Sequence, residues 1–307
     1  MSRGLAIISG ATGFIGSALC RDLANSGYDI AVLTRNREKA RAQFGDQAIV
    51  AEWDGSTSQG WLELVSRSVA IINLAGENIG SGRWTRKKKQ RIVQSRLNAG
   101  KAVVEAVQRA SVKPKTIIQA SAIGYYGPRE EENLDESSPV GKGFLAGMVR
   151  QWELSTQKAE ELGVRRAVIR SGMVLGKDGG VLPKFLKSFS FFVGGPLGSG
   201  KQWFSWVHWK DEIAAIRFLL EREDLHGIFN LVAPQPVTMK EFSRTLGRVM
   251  KRPSWFPVAA FLLRLLFGEM ARETLLTGQR VLAVALLKAG YRFQYPEVES
   301  ALREILG

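Results

Sequence analysis

The sequence predicts an α/β fold built on a doubly wound parallel sheet, with a smaller, mainly helical C-terminal subdomain. Three observations predict it. Short apolar runs alternate with helical patterns along most of the chain, a glycine-rich turn joins the first run to the first helix, and the region after about residue 234 is helical in pattern. The 307 residues are enough for one large domain or two ordinary domains with a real core.

The stretch LAIISGATGFIGSALCRDLANSGYDIAVL opens the sheet. In chain order it holds an apolar run, three glycines, a helical pattern and a second apolar run: Leu5–Ser9, Gly10, Gly13, Gly16, Ser17–Asn25 and Ile30–Leu33. In a dinucleotide-binding unit the first glycine permits a tight turn, the second lets the backbone approach the pyrophosphate, and the third lets helix and strand pack closely. The pattern therefore predicts a Rossmann-like domain whose first helix presents its N-terminus to the phosphates.

Further apolar runs continue the sheet. AIVAEWD predicts a third strand ending at Asp54, VAIINLAG a fourth, KTIIQASAIGYYG a fifth and RRAVIRSGMVLG a sixth, with helical patterns around them. We expect a nucleotide-binding domain over residues 1–175, completed by about 207–233. Residues 176–206 and 234–307 then form a substrate or lid subdomain. Within it, AFLLRLLFG is a short, very apolar helix that we expect to act as core or lid. The alternatives are a dimer contact and a position on a membrane surface, and the lack of a strongly polar opposite face argues against the membrane.

The composition excludes several classes of protein. Cys20 is the only cysteine, so neither a disulfide framework nor a cysteine metal cluster is expected. His208 and His226 are the only histidines, and we predict no metal site. No apolar run reaches the ~18 residues of a membrane span, so we expect a cytoplasmic protein with no membrane partner.

The chain is strongly basic: 43 Lys and Arg minus 29 Asp and Glu gives +14. The surplus is densest between Asn78 and Val104, a stretch that contains no acidic residue. Apolar residues spaced as on one helix face accompany it: Val93, Leu97, Val104 and Val107. We interpret this stretch as a helix with a solvated basic face. A nucleic-acid partner is not expected, because no zinc finger or RNA-recognition motif accompanies the charge.

Several motifs resemble a known family. GATGFIG, NLAGENI, SAIGYYG, RSGMVLG, GGPLGSGKQWFSWVH and LLTGQRVL are similar to motifs of the extended short-chain dehydrogenase/reductase superfamily, and within it to the YfcH-like "epimerase family" branch. The resemblance runs from Leu5 to the C-terminus. It implies an epimerase- or dehydrogenase-like protein that acts on an unknown small molecule. Relatives often dimerise through the helices after strands four and five, so a homodimer is possible.

The resemblance and the second strand together predict the cofactor. Relatives that use NAD usually carry an acid at the end of this strand, but here Thr34 and then Arg35 follow. Without the acid a 2′-phosphate is not repelled, and Arg35 can pair with it, which favours NADP(H). A surface arginine is the alternative. The resemblance also places Asp54 beside the adenine and the turn Leu74–Gly76 beside the adenosine ribose. The predicted cofactor-binding residues are Gly10, Thr12, Gly13, Phe14, Ile15, Gly16, Thr34, Arg35, Asp54, Leu74, Ala75, Gly76, Arg96, Ser121 and Met173.

The resemblance also exposes a departure from the family pattern. In relatives the helix between strands five and six carries Y-x-x-x-K, followed four residues later by a glutamate. Aligned on Glu153, the tyrosine and lysine positions hold Leu145 and Val149. A phenol with a free pKa of ~10 needs the help of a lysine to work near neutral pH. The usual acid–base pair is therefore absent.

Other residues are left to do any chemistry. The catalytic candidates are Tyr125, Tyr126, Ser121 and Glu77, and the substrate candidates are Asn78, Gln202, Trp206 and His208. Five of them have a structural alternative: aromatic packing for the two tyrosines, backbone hydrogen bonding for Ser121, helix capping for Glu77 and a buried hydrogen bond for His208. Two functions remain open: an NADP(H)-dependent oxidoreductase or nucleotide-sugar-epimerase-like enzyme, or a non-catalytic NADPH-binding sensor or scaffold.

Overall fold

The computed structural model describes residues 2–307. The strands, in chain order, are β1 (Leu5–Ser9), β2 (Asp29–Thr34), β3 (Ile49–Glu52), β4 (Ser68–Asn73), β5 (Thr116–Ala122), β6 (Asn133–Leu134), β7 (Arg165–Ser171), β8 (Met173–Leu175), β9 (Trp203–Phe204), β10 (Trp206–His208), β11 (Gly227–Leu231), β12 (Val237–Thr238) and β13 (Arg280–Val281). The helices are α1 (Phe14–Asn25), α2 (Arg37–Phe44), α3 (Leu62–Val65), α4 (Arg86–Arg109), α5 (Phe144–Leu154), α6 (Lys158–Glu161), α7 (Leu182–Ser190), α8 (Trp209–Glu221), α9 (Met239–Met250), α10 (Ala260–Phe267), α11 (Val284–Lys288) and α12 (Val298–Leu306).

A seven-stranded sheet forms the centre of the molecule, in the order β11-β7-β5-β4-β1-β2-β3. Every neighbouring pair in it is parallel. The chain builds outwards from β1 through β2 to β3, then returns to the other side of β1 for β4 and β5. The order of the strands therefore reverses between β1 and β4, the place where open parallel sheets bind ligands beyond their carboxyl ends. The predicted doubly wound sheet is confirmed.

The sheet is buried on both faces. Ala6 and Ile8 of β1 pack with residues of α1 and α8, whereas Leu5 and Ile7 pack with residues of α4. Successive side chains of a strand point to opposite faces, so a strand covered on both sides needs a continuous apolar run. This requirement is why the apolar runs in the sequence marked the strands.

The long helix α4 corrects one detail of the sequence analysis. Its buried face runs through Ile92, Ala99 and Val103, while Val93 and Leu97 are only half-buried. The helix has 24 residues and meets different partners along its length, α5 near its start and the sheet further on. A single stripe of four residues was therefore too simple a description of how it packs.

Most of the chain after β7, apart from α8 and β11, forms the smaller part of the fold, which contains three short strand pairings. Strand β10 pairs with β8, β9 with β12, and β13 with β6. A separate apolar cluster joins α7, β9, α9 and α12 through side chains that include Phe185, Phe204 and Phe242. None of the helices described within residues 2–307 is long and apolar enough to cross a membrane.

Candidate functional site

The glycine turn after β1 leaves no room for side chains. Gly10 has φ of +71°, and a Cβ there would lie 2.9 Å from the backbone of Leu74 in the turn after β4. A Cβ on Gly16 would lie 2.4 Å from the Gly10 carbonyl oxygen. Gly13 is the N-cap of α1, so no side chain covers the start of this helix. The turn thus presents a bare helix N-terminus, which suits a phosphate group.

The neighbouring predicted residues of the turn are partly packed. Thr12 and Ile15 are half-buried. The ring of Phe14 lies so close to Gly176 and Gly179 that a Cβ on either would meet it at 2.3 and 2.2 Å. Phe14 therefore locks the start of α1 against the loop after β8.

A buried line of hydrogen bonds crosses the carboxyl ends of β1, β4 and β5, and the sequence analysis did not find it. The Ser9 hydroxyl donates to Asn73 Oδ1 at 2.7 Å, and Asn73 Nδ2 donates to Gln119 Oε1 at 2.9 Å. The same hydroxyl accepts from the Ala75 amide at 3.2 Å. These bonds fix the turn Leu74–Gly76 beside the glycine turn. The polar residues in otherwise apolar strands were the signal that could have revealed them.

The end of β2 carries the residues predicted to select the cofactor. Thr34 is buried, and its hydroxyl accepts from the Asn36 amide at 3.1 Å. Asn36 in turn caps α2 by accepting from the Lys39 amide. Arg35 between them is exposed, and its positive charge contributes to lowering the pKa of Glu77. The arginine is therefore free to turn towards an anion at this edge of the sheet.

Asp54 is occupied by its own turn. Its carboxylate accepts from the amides of Ser56 and Thr57 at 2.8 and 2.9 Å. Bonds from Ser56 and Thr57 lower the pKa of Asp54 to about 2. The side chain thus shapes the loop after β3, which is the position that the resemblance assigns to the adenine.

Glu77 is a paired carboxylate. Lys88 Nζ donates to Glu77 Oε1 at 2.7 Å and also to the Ser81 hydroxyl at 2.9 Å. The hydrogen bond from Lys88 holds the pKa of Glu77 below its usual range, although burial opposes the effect. A base needs a pKa near the working pH, so this pairing argues against Glu77 as the proton acceptor. The neighbouring Asn78 accepts from the Gly80 amide at 2.7 Å and closes the same loop.

Arg96 supports this loop from inside the protein. Its guanidinium donates to the carbonyl oxygens of Glu77 and Ile92 at 3.0 and 3.1 Å and lies 4.8 Å from the ring centre of Trp152. Burial lowers the pKa of Arg96 to about 10. Its Nε has no hydrogen-bond partner among the described residues. Arg96 therefore links α4 to α5 next to Gly76, and its Nε–H group remains without an acceptor within residues 2–307.

The two residues that the sequence analysis aligns with the family's tyrosine and lysine pack in an apolar cluster. Leu145 and Val149 are buried on α5 in a cluster that also contains Trp84, Met148 and Met270. The Glu273 carboxylate accepts from the Leu145 amide at 3.1 Å, so the C-terminal region also caps this helix.

A buried ion pair lies beside that cluster. Arg170 donates from Nε and Nη2 to the two carboxylate oxygens of Glu153 at 2.7 and 2.9 Å. Ser121 donates to Glu153 Oε1 at 2.5 Å. Removing one partner of such a pair leaves an uncompensated buried charge and costs about 3–5 kcal/mol. Ser121 is thus committed to Glu153 and only 5% exposed.

The two predicted tyrosines differ in their surroundings. Tyr126 is fully buried, donates to Asn230 Oδ1 at 2.7 Å and accepts from Arg170. Burial raises the pKa of Tyr126 to about 12. Tyr125 is only half-buried, and the guanidinium carbon of Arg170 lies 3.4 Å from its ring centre. Of the pair, Tyr125 is the one that a ligand can reach.

Two of the predicted substrate residues are inside the protein. Trp206 is fully buried and donates to the Gln235 carbonyl oxygen at 3.2 Å. His208 is fully buried too, and its Nε2 lies 2.7 Å from Glu304. Burial lowers the pKa of His208, so the neutral ring is favoured. Neither residue has exposed surface, so in this structure neither Trp206 nor His208 lines an open cleft.

The remaining predicted residues hold loops together. The Gln202 side chain donates to the carbonyl oxygens of Leu197 and Leu275 at 3.0 and 2.8 Å, and so ties two loops of the smaller region together. Met173 is half-buried and starts β8 with a backbone bond to Ser205 at 2.9 Å.

A buried carboxyl group at the end of β7 was missed. Glu212 on α8 is buried, and the Ser171 hydroxyl donates to its Oε1 at 2.5 Å. Its other oxygen has no partner among the described residues, and burial raises the pKa of Glu212 to about 7. In the sequence, Glu212 follows Asp211 in the first turn of a helix and resembles an ordinary capping residue. Asp211 does not cap the helix either: it accepts from the amides of Gln294 and Tyr295 in the loop before α12, and His208 is the N-cap of α8.

The doubly wound sheet, the glycine turn and the loops around it define a dinucleotide-binding protein of the extended short-chain dehydrogenase/reductase class. A family model described as "NAD dependent epimerase/dehydratase family" matches residues 6–231, and a second, described as a domain of unknown function, matches residues 258–305. The chain belongs to the NAD-dependent epimerase/dehydratase family.

Similar proteins span the whole chain. The chloroplastic "Epimerase family protein SDR39U1 homolog" of Arabidopsis thaliana is 42% identical over 97% of this chain and 86% of its own length. "Epimerase family protein YfhF" of Bacillus subtilis is 38% identical over 97% of both chains. The crystal structure of human epimerase family protein SDR39U1 with NADPH aligns with a TM-score of 0.85 and 31% identity over 98% of each chain.

More distant structures share the fold alone. The UDP-glucose 4-epimerase of Thermus thermophilus, solved with NAD, aligns with a TM-score of 0.78 but only 19% identity, over 98% of this chain and 97% of its own. Such similarity supports the architecture and says nothing about the reaction.

Proposed function

We propose that this protein binds NADP(H) and is an oxidoreductase or epimerase-like enzyme with a proton donor other than the usual tyrosine–lysine pair. The observation that most supports NADP(H) as the cofactor is the bare N-terminus of α1 beside an exposed arginine. Gly10, Gly13 and Gly16 would hold the pyrophosphate, and Arg35 would pair with the 2′-phosphate. The human relative solved with NADPH supports this choice.

The surrounding residues fit a dinucleotide. Any Cβ on Gly10 would collide with Leu74, so the turn is kept clear of side chains. The unpartnered Nε of Arg96 lies under the turn Leu74–Gly76, where the resemblance places the adenosine ribose. When bound, the nicotinamide would supply or accept a hydride.

We infer that Tyr125 supplies the proton. It is the half-buried tyrosine at the carboxyl end of β5, on the edge of the sheet where ligands bind. The Arg170 guanidinium carbon lies 3.4 Å from the centre of its ring, a cation–π contact. In this arrangement Arg170 supplies the positive charge beside the phenol, whereas relatives use a lysine at the position of Val149.

A second function, a sensor that binds NADPH without turnover, has its own supporting observation. Leu145 and Val149 are packed against Trp84 and Met270, so apolar contacts between the two parts of the chain occupy the family's catalytic positions. A protein that only reports cofactor binding needs such contacts more than it needs an acid. The two proposals differ in whether NADPH is consumed.

The test is NADPH consumption against a broad panel of aldehydes and ketones, for the wild-type protein and for Tyr125→Phe. We expect turnover by the wild type and a loss of roughly 10²- to 10⁴-fold in kcat for the variant, with the Kd for NADPH unchanged. Tyr28→Phe, a half-buried tyrosine at the start of β2, serves as the control and should keep full activity. Tight NADPH binding without turnover across the panel would favour the sensor. Full activity of Tyr125→Phe would remove Tyr125 as the donor.

A further inference from the structure

Nine large apolar side chains are exposed in one part of the smaller region. Trp255 is 76% exposed, Phe261 71%, Phe191 69% and Leu265 67%. We call this set the apolar patch; its members are Phe191, Phe192, Val193, Trp255, Phe256, Phe261, Leu262, Leu265 and Leu266. Singly exposed hydrophobic residues are normal, whereas such a concentration marks a surface that contacts something else.

Backbone hydrogen bonds hold the segments of the patch side by side. The Phe256 amide donates to the Gly194 carbonyl oxygen at 3.3 Å, and the Val258 amide donates to that of Pro196 at 2.9 Å. The Gly198 amide returns a bond to Val258 at 2.8 Å. The chain after α7 therefore runs along the chain that leads into α10, and both segments present their apolar side chains to solvent.

Helix α10 continues the patch. Of its eight residues only Leu263 is buried, although seven of the eight are apolar. Phe261 and Leu265 stand one helical turn apart on the exposed side. A helix that served as core would bury most of such a sequence. In this structure most apolar side chains of α10 are instead exposed to solvent.

All charged residues of the two segments that form the patch are basic, and acids flank these segments at Asp178 and Glu269. Five basic residues lie in the two segments that form it: Lys184, Lys187, Lys251, Arg252 and Arg264. Neither residues 179–200 nor residues 249–268 contain an acid, although the chain has 29 acidic residues in total. The Arg252 guanidinium lies 4.4 Å from the ring centre of Phe192, so charge and apolar surface are in direct contact.

We propose that the apolar patch docks on the surface of an anionic phospholipid bilayer. Aromatic and aliphatic side chains enter the boundary between headgroups and acyl chains, and lysine and arginine beside them pair with phosphates and anionic headgroups. In a two-fold dimer through the same patch, the patch of one copy would face the patch of the other. The five basic residues of each copy would then approach and repel those of its partner. The charge therefore favours a membrane over a second copy.

This proposal replaces the expectation that the protein has no membrane partner. That expectation considered AFLLRLLFG alone, which lacks a polar opposite face and so resembles a core helix. The patch becomes visible only when the fold brings the segment after α7 next to Trp255 and α10. Docking of this kind needs no spanning helix.

Flotation of the full chain with lipid vesicles tests the apolar contribution. We expect binding to vesicles of phosphatidylcholine mixed with phosphatidylglycerol, much weaker binding to phosphatidylcholine alone, and release by salt. The combined variant Trp255→Ser/Phe261→Ser/Leu265→Ser should lose binding by at least about tenfold. Its thermal unfolding should remain cooperative, because these side chains are exposed. The matched control Leu154→Ser/Leu287→Ser changes two exposed leucines elsewhere and should bind as the wild type does.

A second pair of variants tests the charge. Lys187→Glu/Arg264→Glu should weaken binding to the anionic vesicles by about tenfold or more, whereas Lys158→Glu/Lys288→Glu, the same change at exposed sites outside the patch, should have little effect. Failure of the wild type to float with anionic vesicles would overturn the proposal. So would a wild-type dimer, measured by light scattering, that the three-serine variant converts to a monomer, since the patch would then be a subunit interface.

Discussion

The two sides of the sheet's carboxyl edge are specified in different ways. On the cofactor side, backbone geometry is decisive: Gly10 and Gly16 admit no Cβ. On the other side, side chains are decisive, and there Leu145 and Val149, which the sequence analysis aligns with the relatives' acid–base pair, pack in an apolar cluster. A requirement of the backbone survives as a glycine pattern, whereas side chains can be exchanged without disturbing the fold. Membership of the family therefore indicates the cofactor more firmly than it indicates the reaction.

The largest effect is expected from placing a side chain in the glycine turn. Gly16→Val would put Cβ 2.4 Å from the Gly10 carbonyl oxygen and 2.6 Å from the Ala11 Cα, so the turn or the start of α1 must shift. We expect loss of measurable NADPH binding together with a lower midpoint of thermal unfolding. Fluorescence titration and a thermal melt check the two effects.

Gly147 provides the matched control for this substitution. It lies within α5, and a Cβ there would meet nothing within 4 Å. Gly147→Ala should therefore leave NADPH binding intact and stabilise the helix by roughly 0.5–1 kcal/mol. If Gly16→Val bound NADPH as the wild type does, the cofactor would not lie on this turn.

The same contrast explains what the sequence could reveal. The strands and the glycine turn follow from local patterns, because burial on both faces demands apolar runs and a tight turn demands glycine. The burial of Trp206 and His208 and the pairing of Ser171 with Glu212 depend on segments far apart in the chain. Nothing in a short window distinguishes Glu212 from a capping residue. Side-chain chemistry at the site therefore required the folded structure.

On the side of the sheet edge away from the cofactor turn, Glu212 should make the stability of the folded protein depend on pH. Its pKa in the folded protein is about 7, above the ~4.3 of an unfolded glutamate. Between these values only the unfolded chain ionises, so the contribution to stability is complete below about pH 4 and is lost as the pH rises through 7. The loss amounts to roughly 4 kcal/mol, at about 1.4 kcal/mol for each unit of pKa difference. Glu212→Gln cannot ionise and should be more stable than the wild type at pH 8 but not at pH 4.

Urea unfolding of both proteins from pH 4 to 8 measures this difference, and other carboxyl groups cancel in the comparison. Glu161→Gln, an exposed position on α6, is the control and should follow the wild type across the range. Parallel stability curves for wild type and Glu212→Gln would show that Glu212 is not protonated when buried.

The smallest of these effects is expected at Arg35, the side chain proposed to select NADPH on the cofactor side. Arg35→Ala removes the proposed partner of the 2′-phosphate but leaves the glycine turn untouched. We expect the Kd for NADPH to rise by roughly 10- to 100-fold, the range of a charged hydrogen bond, while the Kd for NADH stays constant. Arg41→Ala, an exposed arginine further along α2, should change neither value. Equal binding of NADH and NADPH by the wild type would contradict the role of Arg35, and would mean that the backbone alone specifies this side of the site.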